Sequence, residues 1–190
     1  MKTFTKVIAS IMVLIGFAAT VSAQSANATA NATARIVSAI SIASSRNLDF
    51  GSISPGASGG TVTVAATAAS TRGLTGANLT ATAGAVTSAI FTVTGDGGAT
   101  YSITRVPAVG TPLVLTGPST NMSALLVVST TANAGAETTP GPGTSGTLTN
   151  TTGTDGTNVI YVGGTLTVGA AQGAGVYNNT GGISITVNYN

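Results

Sequence analysis

The chain has 190 residues, with no Cys, no His, and only 5% charged side chains. That removes the disulfide staple, the thiolate nucleophile and the imidazole base in one stroke. Lys2 and Lys6 carry the whole formal excess of +2; Arg35, Arg46, Arg72 and Arg105 balance Asp49, Asp96, Glu137 and Asp155. No basic patch remains for nucleic acid or an anionic membrane surface, and a neutral exterior does nothing to repel a second copy.

Residues 1–23 read as a secretory signal. Lys2 and Lys6 precede a short apolar run from Val7 to Ala19, and Val21-Ser22-Ala23 is a small-x-small cleavage box. The run is too short for a comfortable membrane span. No later segment is apolar enough to cross a bilayer as a helix. The product is therefore expected to be exported, through the periplasm to the cell surface or the medium.

Residues 24–35 form an N-terminal extension. Ala26, Ala28, Ala30, Ala32, Ala34 and then Ile36 alternate with Asn27, Thr29, Asn31, Thr33 and Arg35. The period of two fits a strand for a shallow groove, and equally a polar leader without structure. Val37 and Ile40 break the phase, so a second strand is expected from Ile36 to Ala43. Leu48 to Ile53 reads as a short strand closed at Pro55-Gly56. Thr61 to Ala65 alternates cleanly with Val62 and Val64 inward, and Leu79 to Ala83 is a weaker strand.

Ile90 to Thr94, the turn Gly95-Asp96-Gly97-Gly98 and Ala99 to Val106 read as a hairpin. Leu113 to Thr116 and Ala124 to Ser129 follow. The second is apolar on both faces and is expected to be central. Thr131 to Asn158, dense in Gly, Pro and Thr, reads as a long loop with a strand at Gly146 to Asn150. Asn158 to Val168 returns to strand, with a bulge or tight turn at Gly163-Gly164. The chain then ends in a strand: Ile183, Ile185, Val187 and Tyr189 alternate with Ser184, Thr186 and Asn188.

No helix-period segment follows the signal. Eight to ten short strands punctuated by Gly and Pro predict an all-β antiparallel sandwich over residues 36–190. A closed barrel is the alternative. An outer-membrane barrel lacks its aromatic girdles here, since Phe50, Phe91, Tyr101, Tyr161, Tyr177 and Tyr189 are the only aromatics after the signal.

Three stretches carry a resemblance: NLDFGSISPG from Asn47, TLTVG from Thr165, and AGVYNNTGGISITVNY from Ala174. In this order they resemble the spore coat U-like and archaic chaperone–usher pilin subunits. They are closer still to a secreted bacterial family called domain of unknown function 4402. The pilin resemblance implies an immunoglobulin-like sandwich lacking one strand. Its groove would be filled first by a periplasmic chaperone, working with an outer-membrane usher, and then by the extension of the next subunit. Gln24 to Ala34 would be the donor, with Ala26, Ala28, Ala30, Ala32 and Ala34 as knobs. Leu48, Phe50 and Gly51 match the early-strand motif. Gly175, Tyr177, Ile183, Ile185, Val187 and Tyr189 would form the final strand that lines the groove. The chain departs from pilins in having no Cys and in presenting Ala where donors carry bulkier knobs.

The residues offer little chemistry. Asp96 and Asp155 sit in Gly-flanked turns, where Asp is a stock turn former. Asp49 reads as solvent-facing or paired with Arg46. Tyr101, Tyr161 and Tyr177 could stack on sugar, but strand tyrosines with a wet hydroxyl explain them. No phosphate-binding Gly motif is present. The expectation is a non-enzymatic, cofactor-free structural subunit of a surface fibre or coat. It would associate with itself or related subunits through strand addition and serve adhesion or biofilm. The alternative is a monomeric surface module binding glycan or protein through the Thr131 to Asn158 loop.

Overall fold

A computed structural model describes residues 24–76, 80–81, 84–130, 145–151 and 153–190. Residues 1–23, read as a signal, and most of residues 131–158 lie outside them, and the expected loop gives way to strand at Ser145–Thr147 and from Asp155. The chain divides into two units, residues 1–35 and 36–190. In the first, residues 24–35 have no regular secondary structure. In the second, every regular element among the described residues is a strand.

The strands are β1 (Ser41–Arg46), β2 (Ile53–Ser54), β3 (Gly60–Val64), β4 (Arg72–Thr75), β5 (Thr80–Ala81), β6 (Ala89–Asp96), β7 (Thr100–Val106), β8 (Leu113–Leu115), β9 (Met122–Ser129), β10 (Ser145–Thr147), β11 (Asp155–Val168) and β12 (Ser184–Tyr189). All pairings are antiparallel. A large sheet holds β1, β6, β11, β3, β4, β9 and β8; a small one holds β10, β7 and β12 in that order; β2 and β5 pair separately. The two larger sheets close on one core, as the sandwich pattern predicted.

Strand β11 is the spine. One flank pairs with β6 along Asp155–Val162 and then with β3 along Gly164–Val168. The other flank pairs with β9 along Tyr161–Thr167. Its even positions face the core: Ile160, Val162, Leu166 and Val168 are buried. The register brings Val62 opposite Leu166, Ala124 opposite Leu166 and Val93 opposite Asn158. Thr63 and Thr165 face outward and join hydroxyls at 3.1 Å.

The expected break at Gly163-Gly164 is absent, because β11 runs straight through it. These glycines mark the point where β11 exchanges β6 for β3. A Cβ on Gly163 would collide with the Val64 carbonyl and lie 2.6 Å from the Ala66 nitrogen. One on Gly164 would lie 2.7 Å from the Leu125 carbonyl oxygen. Close backbone approach, rather than a turn, is what Gly supplies here.

The expected hairpin at 90–106 is also corrected. β6 belongs to the large sheet and β7 to the small one, so the Gly97-Gly98 turn carries the chain across the sandwich. The first strand starts at Ser41 rather than Ile36, since Ser41 to Ser44 pair with Thr94 to Phe91 of β6. Leu48 to Ile53 is mostly not strand. Asp49 makes a single bridge to Thr87, and pairing resumes only at Ile53. β9 is central, between β8 and β11, as its two apolar faces suggested.

Three tyrosines sit on glycines. A Cβ on Gly146 would collide with the Tyr101 ring, one on Gly117 with Tyr177, and one on Gly95 with the Tyr189 hydroxyl. Each glycine makes room for a ring in the sandwich or against its loops.

Candidate functional site: a free strand edge and an open groove

The C-terminal strand β12 pairs with β7 from Ser184–Val106 to Tyr189–Tyr101. Among the described residues, β7 is its only sheet partner. The Asn190 N–H donates to the Thr100 carbonyl at 3.2 Å, which fixes the phase of the ladder. Backbone groups alternate sides along a strand. Asn188, Thr186 and Ser184 therefore turn toward β7, and Ile185, Val187 and Tyr189 turn their N–H and C=O groups to the open edge. Their side chains point inward, with Ile185 and Val187 each 8% exposed.

Tyr189 pins the far end of this strand. Its hydroxyl accepts from the Asp96 N–H at 2.6 Å and donates to the Ser38 carbonyl at 2.8 Å. Asp155 accepts from the Ser38 hydroxyl at 2.6 Å. The start of the 36–190 unit is thereby held beside the Tyr189 end of β12.

At the other end of β12, Gly182 and Ile183 line a groove of about 1200 Å³. Leu113, Met122, Leu166 and Val168 are among its apolar lining, contributed by the large sheet. One wall is the segment 47–55 and the other is 172–183. Neither Ile185, Val187 nor Tyr189 lines it, so the sandwich is closed beside the middle and end of β12 and open beyond its start.

Both walls are built. Asp49 bridges Thr87 through two backbone bonds of 2.8 and 3.0 Å, and its carboxylate accepts from the Gly51 N–H at 2.7 Å. Gly51 has φ +73, which suits Gly at that turn. On the other wall, Asn178 and Thr116 exchange backbone bonds, and the Asn179 amide donates to the Val114 carbonyl at 2.7 Å. The Tyr177 hydroxyl donates to the Gly173 carbonyl at 2.8 Å and accepts from the Gln172 amide at 2.9 Å.

The predicted site residues fall into three places. Gly175, Tyr177 and Ile183 line the groove; Ile185, Val187 and Tyr189 lie on β12; and Ala26, Ala28, Ala30, Ala32 and Ala34 lie in the coil of the first unit. Of the early motif, Phe50 is buried in the core, and both Leu48 and Gly51 line the groove. Sequence reasoning missed the contribution of Leu113, Met122 and Leu166. Their inward phase was legible, but nothing local says that no strand covers them.

The described acids, Asp49, Asp96 and Asp155, are engaged structurally. Asp96 is buried and accepts from the Gly153 N–H at 3.4 Å. Asp49 is exposed, as expected, while Arg46 turns to Ser70 and Ser88 instead of to it. Among the described residues, three side chains hold buried polar atoms without a hydrogen bond: the Tyr101 hydroxyl, Nε and Nη1 of Arg105, and Oδ1 of Asn158. Burial pushes the Tyr101 pKa up to about 12 and the Arg105 pKa down. No group of three or more Asp, Glu, His or Cys among the described residues could hold a metal ion.

An all-β antiparallel sandwich is thus the class that the strands define. A family model described as "Domain of unknown function (DUF4402)" matches residues 40–189, and the chain belongs to that family. No curated protein and no solved structure matches it.

Proposed function

We propose that the protein is a secreted, non-enzymatic structural subunit of a surface fibre or coat, assembled by β-strand addition and serving adhesion or biofilm. The sandwich is read as immunoglobulin-like and one strand short. The observation that carries this reading is the β12 edge, where Ile185, Val187 and Tyr189 turn their backbone groups away from β7, with an open groove of mixed polar and apolar lining beyond the start of the strand. Strand addition satisfies such an edge: main-chain hydrogen bonds give affinity, and alternate side chains give register.

The donor in this proposal is Gln24 to Ala34 of another copy. Residues 1–23 act as the export signal, and a periplasmic chaperone covers the edge before an usher-type barrel passes the subunit outward. The nearly uncharged surface suits close stacking of identical chains. Deleting Gln24 to Ala34 tests the reading. Polymers recovered from the cell surface should vanish while the sandwich keeps its circular dichroism spectrum. Unchanged high-molecular-weight species would sink it.

A further inference from the structure

Which end of the donor enters the groove, and what fixes its register, follow from a mismatch of sizes. Ile36 continues the even phase of Ala26 to Ala34, and it is 98% exposed. It is the one bulky side chain in a row of methyl groups. On the acceptor, space along β12 is as uneven as the donor. Beside Val187 and Tyr189 the interior is filled, with Tyr101 at 0% and Leu148 at 2% exposure. Beyond Ile183 lies the groove of about 1200 Å³.

Resting on the strand-addition reading, we propose that Ile36 of one copy seats in the groove of the next, opposite Ile183, with the donor antiparallel to β12. The register then puts Ala34 opposite Ile185, Ala32 opposite Val187 and Ala30 opposite Tyr189. Residues directly opposed in an antiparallel pair share a face, so all four donor side chains turn inward. Ile185, Val187 and Tyr189 are also the β12 positions whose N–H and C=O groups are turned to the open edge, so the hydrogen-bond phase and the side-chain phase agree there. A parallel donor would put Ile36 against the filled end and methyl groups in the wide groove.

The body of the donor agrees with this polarity. Ser38 is held at the Tyr189 end of β12, and the groove lies at the Ile183 end, about 20 Å away at the rise of a strand. The donor therefore leaves each copy at the end opposite to the one that receives. Such an interface is heterologous and propagates head to tail.

The test uses the full chain, expressed with its own N-terminus and recovered from the cell surface. A diazirine-bearing aliphatic residue replaces Ile36, isotope-labelled and unlabelled copies are mixed, and adducts are mapped by mass spectrometry. Intermolecular adducts on Ile183, Leu113 or Met122 are expected. Adducts on Tyr101, Val187 or Tyr189 would overturn the polarity. Polymers that form without an intermolecular adduct at residue 36 would overturn the seating of Ile36 and leave strand addition intact. Unmodified chains that stay monomeric at high concentration would overturn both. In parallel, Ile36→Ala should lower polymer yield about tenfold, as loss of a buried aliphatic contact implies, while Val37→Ala, in the opposite phase, should not.

Discussion

Arg46 and Ser88 grip each other twice. The guanidinium Nε donates to the Ser88 carbonyl and Nη2 donates to the Ser88 hydroxyl, both at 2.9 Å. The same Nη2 donates to the Ser70 hydroxyl at 2.9 Å, and the Ser88 hydroxyl donates to the Thr67 carbonyl at 2.8 Å. This network ties the end of β1, the β3–β4 loop and the start of β6 together around a fully buried serine. Removing the Ser88 hydroxyl takes one acceptor from Arg46 and Ser70 and one donor from the Thr67 carbonyl, which costs about 2 kcal/mol. Ser88→Ala should lower the thermal midpoint accordingly. Arg46→Lys should not restore it, because an ammonium cannot reproduce the fork. An unchanged midpoint in Ser88→Ala would show that the network is dispensable.

Gly163 and Gly164 should be intolerant of any side chain. Gly163→Ala drives a methyl into the end of β3 and Gly164→Ala drives one against β9. Each should destabilise by about 1–3 kcal/mol, the usual cost of overpacking, read from denaturant midpoints. The control is Gly110→Ala: its Cβ would meet nothing within 4 Å, so its cost is confined to the strain of φ +78.

These same glycines show where the sequence stopped being legible. Period-two patterns at Val62/Val64, Leu166/Val168 and Ile185/Val187 were readable because one face of each strand is buried and the other wet. Gly163-Gly164 read as punctuation because Gly also serves turns, and only the approach of Val64 and Leu125 distinguishes the two uses. The hairpin at 90–106 failed for a related reason. Gly95 to Gly98 announces a reversal without saying whether the strands stay paired or cross to the other sheet. Here Tyr189 and Leu148 occupy the space next to Gly95, and β7 instead pairs with β10 and β12. The sequence points to Gly175, Tyr177 and Ile183 but not to the rest of the groove's lining, which comes from segments spread between Ser44 and Ile183.

Tyr101 should make the protein sensitive to alkali. Its pKa is raised to about 12 by burial, against about 10 for a free phenol. The unfolded chain therefore loses this proton first as pH rises. The stability it contributes is whole below about pH 10 and falls between about pH 10 and 12, with a slope of at most about 1.4 kcal/mol per pH unit. Tyr101→Phe should flatten that slope. It should also be no less stable at pH 7, because the hydroxyl removed has no hydrogen-bond partner. A steeper alkaline slope in the variant would refute this.

The edge of β12 can be blocked without breaking its ladder to β7. Proline at Val187 removes an N–H that faces away from β7, whereas proline at Asn188 removes one that faces it. Val187→Pro should therefore fold, at some loss of packing that Val187→Ala calibrates, yet fail to polymerise. Asn188→Pro should unfold. Circular dichroism and sedimentation of the three proteins separate these outcomes; polymerisation by Val187→Pro would argue against strand addition at this edge.

Tyr177 is the post on which one groove wall hangs. Tyr177→Phe keeps the ring on Gly117 but removes the bonds to Gly173 and Gln172. The cost should be about 1 kcal/mol in stability. Amide exchange across residues 172–176 should quicken, while that of β11 should not change.

Because β11 lends one flank to two successive neighbours and the other to a third, neither half of the large sheet can peel away without tearing the shared member. The molecule lacks a natural seam. It should melt in a single step, and its slowest-exchanging amides should cluster between Ile160 and Leu166. For a chain without Cys, that indivisibility supplies the ruggedness that covalent crosslinks give other domains.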